Sequence, residues 1–195
     1  MVGNVEGYLP KSINAALQIL NSENVIVYAG GTDLMVRYKN ETSLLPKFDK
    51  NILYIGQIDE LKKVYENNEE IVIGAGCTLA SLLRNEYVPE ILKKSIRGVA
   101  SPAIRNMGTI GGNICNASPA GDTLPVLYSL NSRCNVISEG LERTINIEDF
   151  IYGPRRTALK KNEILKSITI SKENFNIVHY EKVGARKASA ISKLS

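Results

Sequence analysis

The sequence predicts an α+β fold built from two sub-domains. Two patterns predict it: apolar runs of parallel-strand type alternate with helices early in the chain, and strands that pair as a hairpin follow late. The chain of 195 residues is 44% hydrophobic and 23% charged, which is typical of a globular protein that folds without a disulfide. No flexible linker or repeat interrupts the pattern, and we place the seam between the sub-domains near residues 51–59.

The early part of the chain contains the strand–helix alternation. Apolar residues at three- and four-residue spacing predict a helix over 12–20, with Ser12 as its N-cap. The β-forming run Val25–Tyr28 predicts a buried strand that the Gly30-Gly31 pair ends. Thr32 and Asp33 are expected to cap a helix over 34–38. Further elements follow: strands over 51–55 and 71–75, a turn and strand start over 58–64, and helices over 78–85 and 89–99.

The stretch 100–125 contains four glycines and three prolines with small polar residues between them. So many breakers predict one long shaped loop rather than regular structure, and such a loop in a compact domain is usually functional. After it we expect a helix over 126–130, a strand pair over 134–137 and 143–147, and strands over 163–170 and 177–183.

Composition excludes several classes of function. A formal net charge of +4, few aromatic residues and no Trp argue against nucleic-acid binding. Three scattered cysteines and one histidine argue against a protein-supplied metal or iron–sulfur site. The longest apolar stretch, 71–83, is too short to span a membrane, and residues 1–6 lack a secretion signal, so we expect a cytoplasmic protein.

The first candidate site is the strand–glycine–helix segment over 25–34. Glycines at such a turn let a ligand approach the backbone, and the N–H groups of the helix start favour a phosphate. Asp33 would repel a phosphate, so we expect it to cap the helix or accept from a hydroxyl. A tight turn that binds nothing is the alternative. The segment matches neither a P-loop nor the G-x-G-x-x-G fingerprint.

The second candidate site is Gly108-Thr-Ile-Gly-Gly-Asn113, followed by Asn116, Ser118 and Asp122. Its amides and hydroxyls offer hydrogen bonds on an accommodating backbone, and Asp122 could accept from a ribose or ribityl hydroxyl. A structural loop that closes on itself is the alternative. Two glycine pairs in one small protein indicate that each binds one end of the same extended ligand. A dinucleotide is the obvious candidate for this ligand.

No pair of side chains predicts a nucleophile and its base, so we assign no catalytic residue. His179 is expected to be a packed or edge histidine, and Cys115 has weak support as a reactive thiol. The basic pairs 155–156 and 160–161 are either solvated charges or contacts for an anionic partner or nucleotide. The absence of acid–base groups fits an enzyme whose cofactor carries the chemistry.

Ala29-Gly-Gly-Thr-Asp-Leu34 and Thr109-Ile-Gly-Gly-Asn113 together resemble the two flavin-binding motifs of the FAD-binding (medium) subunits of molybdenum hydroxylases. This family includes xanthine, carbon monoxide and nicotinate dehydrogenases. Residues 8–12, 103–108, 117–122, 163–165 and 182–192 extend the resemblance. It implies a two-sub-domain FAD-binding fold of the vanillyl-alcohol-oxidase (PCMH) type. The expected divisions are an N-terminal FAD-binding sub-domain over 1–55, a second over 56–180, and at 181–195 the start of a C-terminal sub-domain that this sequence does not contain.

The resemblance implies FAD as the cofactor and assigns its contacts. The residues expected to wrap the pyrophosphate are Val27, Tyr28, Ala29, Gly30, Gly31, Thr32, Asp33 and Leu34. Those expected around the diphosphate and ribityl region are Thr109, Ile110, Gly111, Gly112 and Asn113. Asn116, Ser118 and Asp122 are candidates for ribityl or ribose hydroxyls. Val99 and Leu165 would touch ring systems, and Lys182 would lie near the flavin.

The resemblance also implies a place in a larger complex. Electrons would arrive from an iron–sulfur small subunit and leave as hydride to NAD(P), while a molybdopterin large subunit oxidises the organic substrate in a xanthine dehydrogenase-like reaction. Two alternatives stay open: a non-catalytic scaffold subunit of the same complex, and a stand-alone flavin oxidoreductase.

Overall fold

The structure, a computed structural model, describes residues 5–39, 46–172, 178–184 and 192–194. The helices are α1 Ile13–Ser22, α2 Thr32–Arg37, α3 Leu79–Leu82, α4 Glu90–Arg97, α5 Pro102–Met107, α6 Ile110–Asn116, α7 Leu124–Ser129 and α8 Ile147–Phe150, with a 3-10 turn at Asp59–Lys62. The strands are β1 Gly7–Tyr8, β2 Val25–Tyr28, β3 Asn51–Tyr54, β4 Val64–Glu66, β5 Glu70–Gly74, β6 Arg133–Ser138, β7 Leu141–Asn146, β8 Ile151–Gly153, β9 Arg156–Thr157, β10 Ile164–Ser171, β11 Val183–Gly184 and β12 Ser192–Leu194.

The first sheet is parallel and has the order β1-β3-β2. Helix α1 begins at the predicted cap, where the Ser12 hydroxyl accepts a hydrogen bond from the Ala15 N–H at 3.2 Å. Its buried face, with Ala16 and Leu17, packs in one core cluster with Leu53 of β3. Because parallel strands end at the same edge of a sheet, β2 and β3 deliver Ala29 and Ile55 to a common edge.

The second sheet has five antiparallel strands in the order β4-β5-β10-β6-β7. Its central strand β10 packs with α4, α6 and α7 in a core that contains Leu92, Ile110, Leu127 and Ile168, each fully buried. One parallel and one antiparallel sheet, with helices against them, confirm the predicted α+β class. The division of the chain at residue 55 stays a prediction.

The prediction of one irregular loop over 100–125 is wrong, because this stretch contains α5, α6 and the start of α7. Ser101 caps α5, and Pro102 stands at the start of that helix, where its missing N–H costs nothing. Thr109 caps α6 by accepting from the Gly112 N–H at 3.0 Å. The glycines within α6 permit close packing: a Cβ on Gly111 would lie 2.7 Å from the Ala75 carbonyl oxygen.

Two other predicted elements differ. Helix α2 starts at Thr32, and its N-cap is Gly31 in a left-handed conformation with φ 70°, so neither Thr32 nor Asp33 caps it. In the predicted strand over 177–183, residue 177 lies outside the described residues, 178–182 form no strand, and only Val183 joins β11. A side chain from this segment, Lys182, bonds instead to Asp122 and to the Gly98 carbonyl.

Substituting Thr109→Val removes the oxygen that caps α6 and preserves the shape of the side chain. We expect the free energy of unfolding to fall by about 1 kcal/mol, the usual contribution of an N-cap. Urea denaturation measures this loss. Thr109→Ser keeps the oxygen and is the control, and an unchanged midpoint for the Val variant would contradict the capping role.

Candidate functional site

A cavity of about 300 Å³ lies where the end of the parallel sheet meets α5 and α6. This volume is at the lower end of the range for small-molecule sites. Most of the residues predicted from the sequence line it: Val27, Ala29, Gly30, Gly31, Thr32, Asp33, Leu34, Val99, Thr109, Gly111, Gly112, Asn113, Asn116 and Leu165. The two glycine segments, distant in sequence, therefore meet around one cavity.

The other predicted residues lie outside the cavity lining. Ile110 is fully buried in the core, and Ser118 accepts a hydrogen bond from the Ala120 N–H at 3.3 Å. The Tyr28 ring packs against Tyr54 with 5.0 Å between ring centroids and lies under Gly31, whose Cβ would be 2.0 Å from it. The Tyr28 ring thus packs against the turn at Gly31, and burial raises the pKa of Tyr28.

Asp122 and Lys182 bond to each other beside the cavity. Their Nζ–Oδ2 distance is 2.7 Å, and Lys182 also donates to the Gly98 carbonyl at 3.0 Å. The Asp122 side chain is 8% exposed and that of Lys182 is 15% exposed, so little solvent screens the pair. The pair fastens the segment 178–184 to the chain that follows α6. Contacts of Asp122 and Lys182 with FAD stay predictions.

The two glycine segments pack against each other through their backbones. A Cβ on Gly30 would lie 2.0 Å from the Met107 carbonyl oxygen and 2.9 Å from the Gly108 Cα. A Cβ on Gly108 would lie 3.5 Å from the Thr32 hydroxyl. Gly30 is therefore required by the contact between the segments, in addition to any need of a ligand.

The two segments differ in their backbone hydrogen bonds. In α6 the first N–H groups all have acceptors: Ile110 donates to Cys77 O, Gly111 to Ala75 O, Gly112 to the Thr109 hydroxyl, and Asn113 to Thr109 O. In α2 the Gly31 cap forms no side-chain hydrogen bond. Within the described residues, the N–H groups of Thr32, Asp33 and Leu34 have no acceptor. Of the two helix starts beside the cavity, the one whose N–H groups lack acceptors within the described residues is therefore that of the first segment.

The cavity wall formed by the start of β10 is held by an ion pair between a buried carboxylate, Glu163, and a half-buried guanidinium, Arg143. The Glu163 carboxylate accepts from Arg143 Nε and Nη2, each at 2.8 Å, and from the Lys160 N–H at 2.8 Å. The hydrogen bond with Arg143 lowers the pKa of Glu163, and the pair raises the pKa of Arg143. Arg143 also donates to the Ala158 carbonyl, so one guanidinium fixes the loop that carries Leu159.

Sequence reasoning missed several lining residues. They are Arg37, Ile55, Ala75, Gly76, Leu79, Ile104, Cys115, Leu159, Glu163 and Ile164, while Gly108 of the second candidate segment lines the cavity as well. Arg37 lies one helical turn after Asp33, so the 3.6-residue period could have placed it on the same face. Burial raises the pKa of Cys115 to about 12, which makes it a thiol rather than a reactive thiolate. His179 is not packed, since its side chain is 70% exposed.

The part of the chain that the structure describes holds no cluster of three or more His, Cys, Asp or Glu side chains that could bind a metal. No helix among the same residues is long and apolar enough to cross a membrane.

The donor set fits a dinucleotide. Free backbone N–H groups suit a diphosphate, and the amides of Asn113 and Asn116 suit sugar hydroxyls. Leu159 and Leu165 supply an apolar wall for a ring system. The fold and this cavity therefore fit the class of flavin-nucleotide-binding domains.

Comparison with known proteins identifies the family. Residues 3–172 match the family described as FAD binding domain in molybdopterin dehydrogenase, and the chain belongs to it. The resemblance inferred from the two glycine motifs is thereby confirmed, and FAD is the cofactor of this family.

Two relatives and one solved structure show how far the likeness extends. The chain is 29% identical to a nicotinate dehydrogenase FAD-subunit of Eubacterium barkeri, over 96% of this chain and 65% of that protein. It is 34% identical to a xanthine dehydrogenase/oxidase of Gallus gallus, over 75% of this chain and 12% of that protein. A carbon monoxide dehydrogenase structure from Hydrogenophaga pseudoflava shares the fold, with a TM-score of 0.87 and 24% identity, over 98% of this chain and 67% of that chain. The chain thus spans less than two thirds of the length of these two relatives.

Substituting Gly30→Ala places a methyl group against the Met107 carbonyl, so one glycine segment must move. We expect the unfolding free energy to fall by about 1–3 kcal/mol, the usual range for overpacking. Gly153→Ala is the matched control, because its Cβ would find no atom closer than 3.6 Å. Thermal unfolding compares the two variants, and equal melting temperatures would contradict the contact.

Glu163 makes stability depend on pH in a defined direction. Because its folded pKa is lowered, the carboxylate contributes stability above its unfolded pKa, about 4.3, which is lost as the pH falls through the folded pKa. Glu163→Gln lacks this contribution. Denaturation between about pH 5 and about pH 3 should show a steeper loss for the natural protein.

The partner variant Arg143→Met leaves the Glu163 carboxylate buried without its cation. We expect the free energy of unfolding at neutral pH to fall by about 1–3 kcal/mol, the usual penalty for a buried polar group that loses a partner. If the free energy of unfolding changed with pH in the same way for the natural protein and for Glu163→Gln, the stabilising role of the Glu163–Arg143 pair would be refuted.

Proposed function

We propose that the chain is the FAD-binding electron-transfer subunit of a xanthine dehydrogenase-like molybdenum hydroxylase. The observation that carries the proposal is the meeting of both glycine segments around one cavity with free backbone donors. FAD, when bound, supplies a carrier that accepts electrons and passes them on as hydride. We assign no catalytic side chain.

The residues of the chain bind and orient the cofactor. The N–H groups of residues 32–34 hold the diphosphate, because they stand at the start of α2 beside the cavity and have no acceptor within the described residues. Asn113 and Asn116, which line the cavity, meet the sugar or ribityl hydroxyls. Ser118 and Asp122, which lie outside the lining, are candidates for further hydroxyl contacts. Val99 and Leu165 contact ring systems and exclude water. Lys182, whose ammonium group is bonded to Asp122, lies near the edge of the flavin.

The partners are an iron–sulfur small subunit, which delivers electrons, and a molybdopterin large subunit, which oxidises the organic substrate. The name of the Eubacterium barkeri relative, an FAD-subunit, supports a separate polypeptide for the flavin step. NAD(P) is the proposed electron acceptor. A cytoplasmic location agrees with three free cysteines, Cys77, Cys115 and Cys134.

Titration of the apoprotein with FAD tests the binding step. We expect the flavin fluorescence to be quenched and the complex to be yellow, with FAD released on heating. Substituting Gly112→Val puts a side chain at the cavity, with its Cβ 2.9 Å from the Thr109 hydroxyl that caps α6, and should weaken FAD binding at least about tenfold. Gly153→Val, away from the cavity, should bind normally. An apoprotein that takes up no FAD would contradict the proposal.

Reconstitution with the partner subunits tests the acceptor. The assembled complex should reduce NAD or NADP in the presence of its organic substrate, and the complex with FAD-free protein should not. Equal reduction of the nucleotide by both complexes would favour a scaffold role for this chain.

A further inference from the structure

We propose that Arg37 is the cation that neutralises the diphosphate of FAD, and that Asn116 holds its guanidinium in place. This inference rests on the proposed FAD binding and adds a binding residue outside both glycine motifs. Arg37 is the last residue of α2, and both it and Asn116 line the cavity.

The charges of the cavity single out Arg37. Three charged residues line it, namely Asp33, Arg37 and Glu163. Glu163 already has its counter-charge in Arg143. Among the described residues, Arg37 forms no ion pair, and its side chain makes one hydrogen bond, from Nη2 to the Asn116 Oδ1 at 3.3 Å. Most of its guanidinium donors are therefore free for a ligand.

The direction of the Arg37 side chain supports an anionic ligand. Asp33 stands four residues earlier, at a spacing that permits an ion pair along a helix. Arg37 does not pair with it and reaches instead to Asn116, on the helix of the other glycine segment. The guanidinium thus bridges the two segments that surround the cavity, and its charge is not compensated by its own helix.

The reach of the side chain matches the position of the free N–H groups. Arg37 follows Thr32 by five residue steps along the helix, a rise of about 7.5 Å. Helical side chains tilt toward the N-terminus of their helix, which brings an extended arginine back toward that end. The unpaired N–H groups and the guanidinium can therefore contact the same diphosphate. Its planar fork suits phosphate oxygens in a way that a lysine ammonium does not.

Affinities for three probes test the assignment: FAD, ADP and riboflavin, which has no phosphate. Substituting Arg37→Gln should lower the affinities for FAD and ADP by about tenfold to a hundredfold, the range for a lost charge-assisted hydrogen bond. Riboflavin should bind the variant within about twofold of its natural affinity. Arg37→Lys keeps the positive charge but lacks the planar guanidinium. Its affinity for FAD should lie between those of the natural protein and of Arg37→Gln.

The control is Lys39→Gln, which removes an exposed positive charge two residues away and outside the cavity lining. It should leave all three affinities unchanged, and this comparison separates local binding from a change of net charge. Equal losses of FAD and riboflavin affinity in Arg37→Gln, or an unchanged FAD affinity, would overturn the inference. If Arg37→Gln does not fold, the FAD-to-riboflavin ratio of Arg37→Lys decides in the same way. Failure of the natural protein to bind FAD would instead contradict the proposed function.

Discussion

The contact on which the site depends is the backbone-to-backbone approach of Gly30 to Met107 and Gly108. It joins the edge of the parallel sheet to the helices that cover the antiparallel sheet, at the point where the cavity opens. Only a residue without a Cβ permits this approach, because the nearest carbonyl oxygen would lie 2.0 Å from a methyl carbon there. The double glycine of the first motif is thus a packing requirement at Gly30 and a conformational one at Gly31, where φ is 70°.

The second motif serves the site differently from the first. Its glycines bring α6 against Ala75, and its first N–H groups bond within the protein. What remains for a ligand is side chains, chiefly Asn113 and Asn116. The first motif offers backbone N–H groups and the Thr32 hydroxyl, whereas its Asp33 carboxylate would repel a phosphate. The two motifs are therefore complementary: one supplies donors for an anion, and the other fixes the geometry and supplies amides for hydroxyl groups.

Much of this arrangement could be predicted from the sequence, because α1, β2, β3 and β10 have clear apolar periodicity and α1 has a side-chain N-cap. The helices α5 and α6 could not, since glycine and proline count as breakers wherever their neighbours are not known. In the fold, Pro102 stands at a helix start, where its missing N–H costs nothing, and Gly111 stands at a contact with Ala75 that leaves no room for a Cβ. The helical period places Arg37 on the face of Asp33, but its hydrogen bond to Asn116 depends on the direction of a long side chain, which the sequence does not record.

The charges around the cavity suggest how it would distinguish nucleotides from uncharged flavins. Arg143 neutralises Glu163 at one wall, so that wall presents no net charge to a ring system beside Leu165. On α2, Asp33 and Arg37 are both unpaired within the described residues. Arg37 would not strengthen the binding of a neutral ligand. An anion placed between the free N–H groups and the guanidinium would bind more tightly because of both. The Asp33 carboxylate would repel an anion that comes near it, so the proposed site for the diphosphate depends on the Arg37 guanidinium to offset that repulsion.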